Sequence, residues 1–216
     1  MTQVAIIDLL ADIAQIARGA PNPTLIRAYN RAAREFCRQS RWLRSALPGV
    51  TEAGTLLYSL GTDPDLEVIG IRAVSLARTT GNTTPRPLRV SASTAWRAGE
   101  RNAEPQRYAY VPEAQLALNP TPDAVYDLLV TLVIMPTAAS NSVPAELLPR
   151  WDQTLQAGAL AYLYEVPKQP WTNLDLAQIK KREFQAGIGN AKAAEQKEYQ
   201  SGTTIARKPP FIVGGM

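Results

Sequence analysis

Hydrophobic positions fall into three regimes along the chain. Ile6, Leu9, Ile13 and Ile16 recur at helical spacing, and Gly19 and Pro21 stop the run, so the pattern predicts an amphipathic helix over 3–18. A second helix follows in "NPTLIRAYNRAAREFCRQSRW", with Asn22 as its N-cap and Pro23 in its first turn. Leu25, Tyr29, Ala32 and Phe36 share one face of it. Two helices with so short a link are expected to pack antiparallel.

From Trp42 to Thr137 the texture changes. "TLLYSL", "LEVIGIRAVSLAR", "QRYAYV", "QLALNP" and "AVYDLLVTLVIMP" are β-branched or aromatic runs between Gly, Pro, Asp and Asn, and read as strands. In the last of these, Tyr126, Leu128, Val130, Leu132 and Ile134 share one face, and Asp127, Leu129, Thr131 and Val133 the other. That strand is expected to be covered on both sides. "STAWRAGE" predicts a single helical turn, and the polar "RTTGNTTPRP" over 78–87 an exposed, mobile loop.

Helical spacing returns after Pro136. Pro144 and Glu146 suit a first turn, and Leu147, Trp151, Leu155, Gly158 and Tyr162 mark a buried stripe. Pro167 and Pro170 forbid continuation, and Asn173 caps a closing helix that becomes charged towards its end. Small residues at Gly158, Ala159 and Ala161 allow close helix approach, with Trp171 wedging the returning helix in place. "SGTTIARKPPFIVGGM" then has no period, and Pro209 and Pro210 prevent a helix. The chain shows no internal repeat or low-complexity tract. The plan is α+β: segments 1–41 and 138–200 close as an antiparallel bundle of about four helices, 42–137 forms a β-rich insertion, and 201–216 is an extended tail.

Composition narrows the function. The chain has 216 residues, is 45% apolar, and offers no apolar run long enough to span a membrane. Asp8 and Asp12 interrupt the N-terminal apolar stretch, which reads as a soluble helix rather than a signal peptide. There is no histidine, and Cys37 is the single cysteine, so Ser-His and Cys-His pairs, the usual zinc sites and an intrachain disulfide all drop out. Cys37 beside Phe36 reads as a small buried filler. Asp63, Asp65 and Asp123 adjoin prolines and read as turn chemistry, leaving a metal-dependent hydrolase as the weakest function class. No cofactor is expected.

Two features point outward instead. Arg27, Arg31, Arg34 and Arg38 recur at helical spacing, with Arg41 and Arg44 extending the patch, on a chain of net charge +4. A solvated face, an intersubunit contact, or phosphate contact in a nucleic-acid-binding module would each use such a stripe. In the tail, Ile205, Phe211, Ile212 and Val213 are costly to leave in water, and Arg207 and Lys208 flank them, which points to docking on another chain. Trp42, Trp96, Trp151 and Trp171 read as core or interface anchors.

Three local texts carry a resemblance: "REFCRQSRWLR" leading into the β region, "LALNPTPDAVYDLLVTLVIMP", and the segment "VPAELLPRWDQTLQAGALAYLYEVPKQPWTNLDLAQIKKREFQAGIGNAKA" with its Pro-Trp loop and Phe184. In these and in the order of its parts the chain resembles the adaptor, or head-to-tail connector, proteins of tailed phages. The resemblance implies a virion protein at the head–tail junction. There it would form a homo-oligomeric, dodecameric ring below the portal that extends the DNA channel. Portal and tail or nozzle proteins are the implied partners, with non-specific contact to packaged DNA and none with membrane. It also implies that the tail reaches the portal, while Trp151, Gly158, Tyr162, Pro170, Trp171 and Phe184 fix the helix hairpin. A tail-completion or tail-tube component is the neighbouring alternative.

Overall fold

A computed structural model describes residues 2–61, 63–78, 84–91 and 102–201. The predicted helical turn at "STAWRAGE", half of the predicted loop over 78–87, Trp96 and the tail beyond Ser201 lie outside the described residues; of the rest of that loop, Arg78, Arg86 and Pro87 are in strands.

The N-terminal segment is not the single helix its spacing suggests. It forms β1 (Gln3–Ala5), a 3-10 turn (Ile6–Leu9) and α1 (Ala11–Ile16), which packs on the later helix α3 (Leu148–Tyr164). Ile6, Leu10 and Ile13 are buried, but Ile16 is 53% exposed. The cause is β10 (Ser142–Pro144), whose antiparallel pairing with β1 holds the first residues extended. Two strands of three residues carry no periodicity to be read. Pro144 therefore ends a strand rather than opening a helix; a 3-10 turn over Ala145–Leu147 precedes α3.

α2 (Asn22–Ser40) buries Leu25, Tyr29, Ala32 and Phe36 completely, as their spacing predicts. Its N-cap is Pro21, with no side-chain cap bond, so Asn22 lies inside the helix. At the other end Arg41 adopts the left-handed conformation (φ 54°) that closes many helices. α4 (Leu174–Ser201) is capped as expected, Asn173 Oδ1 accepting from the Leu176 amide at 3.0 Å. α2, α3 and α4 pack on one another, whereas α1, at six residues, is too short to serve as a fourth arm of a bundle.

Two four-stranded sheets occupy the middle of the chain. The first runs β2 (Arg44–Val50), β9 (Tyr126–Pro136), β4 (Leu66–Arg78), β5 (Arg86–Pro87), all antiparallel. The second runs β3 (Leu57–Ser59), β8 (Gln115–Asn119), β7 (Arg107–Val111), β6 (Arg89–Val90), with β6 and β7 parallel. Pro48 sits in β2, an edge strand, where its missing N–H breaks no ladder. β9 is alternately buried and exposed at first, with Leu129 46% exposed, and buried on both faces only from Leu132 to Pro136, where α2 crosses it. Coverage on both sides thus holds for half the strand. The molecule is mixed α+β with four α-helices among the described residues, and its buried side chains form one continuous cluster.

The aspartates behave as turn residues. Asp63 Oδ1 accepts from the Asp65 amide at 3.1 Å, and Asp123 Oδ1 accepts from the Tyr126 hydroxyl at 2.6 Å. Cys37 is fully buried, and burial pushes its thiol up to about 12.

Candidate functional site: an arginine groove and a helix hairpin

Helical spacing puts Arg27, Arg31, Arg34 and Arg38 along one side of α2, and all four line a single cavity of about 440 Å³. Asn30, Glu35, Met135, Ala138 and Tyr162 complete its wall. The arginines are not equivalent. Arg34 donates to the Pro136 carbonyl at 3.1 Å and pairs with Glu67 at 3.2 Å, which ties α2 to the end of β9 and the start of β4. Arg38 pairs with Glu35 one turn back. Arg31 lies over the Tyr162 ring, 4.1 Å from its centroid. Arg27 is exposed and has no hydrogen bond or ion pair among the described residues. Asn30, 4% exposed, donates its amide to the carbonyls of Thr137 (3.0 Å), Ala138 (3.2 Å) and Ser140 (2.8 Å), while its Oδ1 is buried without a donor.

Arg41 and Arg44 do not extend this stripe. Arg41 turns the chain after α2, and Arg44 leaves with β2 towards Glu195 on α4. Glu195 is 6% exposed and accepts from both Arg44 and Arg72 at 2.9 Å on the same oxygen. Arg72 reaches it because β4 shifts register against β9 between Ile71 and Ala73, leaving Arg72 as an extra residue. Sequence reading missed this triad. Glu195 sits in a charged stretch that looks solvated, and its partners are far away in the chain.

The α3–α4 hairpin is set by two glycines. A Cβ at Gly158 would lie 2.8 Å from the Phe184 ring and 2.9 Å from Ala32 Cβ, so three helices meet there without room for a methyl group. Gly187 is closed in the same way by the Thr154 side chain. Trp151 is buried and packs edge-on against Trp42, their centroids 5.3 Å apart, with Arg150 over both rings. Tyr162 is half-buried under Arg31. In the connecting loop Lys168 is left-handed (φ 60°), Pro170 is exposed, and Trp171 is half-buried against the core. The loop closes through Thr172, whose hydroxyl bonds the Val166 carbonyl and the Gln169 amide, and through the Asn173 amide on the Tyr164 carbonyl at 3.1 Å.

The groove and the hairpin share Tyr162, but Arg27, Arg31, Arg34 and Arg38 lie on α2, Trp151, Gly158 and Tyr162 on α3, and Phe184 on α4. Ile205, Arg207, Lys208, Phe211, Ile212 and Val213 fall outside the described residues. No helix among the described residues is long and apolar enough to cross a membrane, and no three His, Cys, Asp or Glu among them converge as a metal site. Compared with known proteins, residues 1–207 match the family model described as SU10 adaptor protein. No curated protein matches the chain.

Proposed function

Because the chain belongs to the SU10 adaptor protein family, a family of phage head-to-tail adaptors, we propose that it is a structural, non-enzymatic component of the virion at the head–tail junction. In this reading it assembles as a ring, dodecameric as the resemblance implies, below the portal, and extends the DNA channel towards the tail. The observation that carries it is the extent of the match. Residues 1–207 take in every described strand and helix, so the likeness belongs to the whole chain and not to one motif.

The parts then divide the work. Segments 1–41 and 138–200 form the helical body, with the Gly158–Phe184–Ala32 contact holding the hairpin at a fixed angle. The β-rich insertion, 42–137, faces tail or nozzle proteins. Residues 201–216 dock on the portal through Ile205, Phe211, Ile212 and Val213, with Arg207 and Lys208 beside them.

Cryo-EM of the purified chain mixed with its portal tests this. A ring coaxial with the portal is expected from the full chain. A chain ending at residue 200 is expected to keep its circular dichroism spectrum and fail to bind. Portal and adaptor eluting separately at micromolar concentration would overturn the ring reading. Binding by the truncated chain would overturn only the role of the tail.

A further inference from the structure

The groove on α2 is built to hold something negative. Four guanidiniums face two carboxylates, Glu35 and Glu67, so positive charge is left at Arg27 and Arg31. Arg31 is held in place by stacking on Tyr162, which supplies no charge to cancel it. Arg34 is fixed by Glu67 and the Pro136 carbonyl, while Arg38 stays exposed in its pair with Glu35 and Arg27 has no hydrogen bond or ion pair among the described residues. A donor held in place before its ligand arrives, as Arg31 is, loses less conformational entropy on binding.

We propose that this groove receives an acidic peptide segment of a partner protein chain, with carboxylates on Arg27 and Arg31. Two observations choose a peptide over a nucleic-acid backbone. The cavity, at about 440 Å³, is of the size that encloses a small ligand or a few side chains and is too small to admit a duplex. Met135, Ala138 and Tyr162 give it apolar walls suited to the hydrocarbon part of a side chain. Guanidinium also suits carboxylate, and Arg34 and Arg38 already pair with Glu67 and Glu35 through one nitrogen each.

This holds independently of the adaptor reading and is tested on the purified full chain alone. The probe is a fluorescein-labelled hexapeptide, Glu-Leu-Asp-Glu-Leu-Glu, followed by anisotropy at about 50 mM salt, where charge contacts are least screened. Saturable binding is expected, weakened at least tenfold by Arg27→Glu and by Arg31→Glu. The charge-matched pair Arg89→Glu and Arg107→Glu, on the far sheet, is expected to leave it unchanged. Arg27→Ala is the variant least able to disturb folding, since that side chain is exposed and unpaired among the described residues, and it too should weaken binding. No saturable binding, equal losses from both variant pairs, or displacement of the peptide by equimolar inorganic phosphate would each overturn the assignment. So would a 20-base-pair duplex that binds through Arg27 and Arg31 when the peptide does not.

Discussion

Two helical glycines give opposite expectations for the same substitution. Replacing glycine by alanine inside a helix stabilises it by about 1 kcal/mol, because the backbone loses less entropy on folding. Gly189, on the exposed side of α4, has nothing within 4 Å of its prospective Cβ, so Gly189→Ala is expected to deliver that gain. At Gly158 the new methyl would sit 2.8 Å from two Phe184 ring carbons and 2.9 Å from Ala32 Cβ, where ordinary contact begins near 3.4 Å. Relief needs about half an ångström on two sides at once. Phe184 is a buried rigid ring, and Ala32 Cβ moves only if α2 moves with it. Overpacking of this kind costs about 1–3 kcal/mol, here about 3 because neither neighbour can yield. Offset by the helix gain, Gly158→Ala is expected to destabilise by about 2 kcal/mol. For a chain this long that lowers Tm by about 4–8 °C, against a rise of about 2–4 °C for Gly189→Ala. Thermal unfolding by circular dichroism reads both. In a double-mutant cycle, Phe184→Leu should recover more than about 1 kcal/mol of the Gly158→Ala loss. A stabilised Gly158→Ala protein, or no coupling to Phe184, would refute the close-approach argument.

Three further expectations follow from single sites. Glu195→Gln leaves the Arg44 and Arg72 charges facing each other in a largely buried site, and should cost about 3 kcal/mol in urea unfolding, the low end for a broken buried pair because both arginines keep some exposure; a loss below about 1 kcal/mol would place the triad among surface pairs. Glu113, exposed and left-handed (φ 66°) in the turn between β7 and β8, should gain about 1 kcal/mol as Glu113→Asn, read by the same denaturant midpoint. Burial raises Cys37 from 9.0 to about 12, and burial with the Asp123 hydrogen bond raises Tyr126 from 10.0 to about 12. The folded chain therefore holds those protons longer than the unfolded one, so stability is fully present below pH 9 and is lost as pH rises from 9 towards 12, by up to about 1.4 kcal/mol per pH unit for each group; flat stability to pH 11 would contradict it.

What could be read in advance was whatever repeats within one element. The buried face of α2, the α3 stripe, the Asn173 cap and the strand text of β4, β7, β8 and β9 each depend on neighbours a few residues apart. The arginines of α2 were legible as a stripe for the same reason. Their sorting into anchored and free members was not, because Glu67, Pro136 and Tyr162 arrive from other parts of the chain. β1 failed as a helix prediction because Ser142–Pro144, far along the sequence, overrides local preference. β2 escaped notice because Pro48 and Gly49 look like a turn, although an edge strand tolerates both. Glu195 illustrates the limit most plainly, since nothing in "AKAAEQKEYQ" separates it from its solvated neighbours.

That triad also determines how the protein bears tension. Ser201 lies six residues beyond Glu195, about 9 Å along the helix axis. Glu198 adds a second, weaker tie to Arg150 at 3.5 Å. A pull applied to the chain after Ser201 runs down α4, meets the exposed Glu198 tie first and then the buried Glu195. From there it passes through Arg44 and Arg72 into β2 and β4, each bonded to β9 along its length. Force entering at the end of one helix is thus shared among three strands of a sheet, instead of peeling that helix from its hairpin turn by turn.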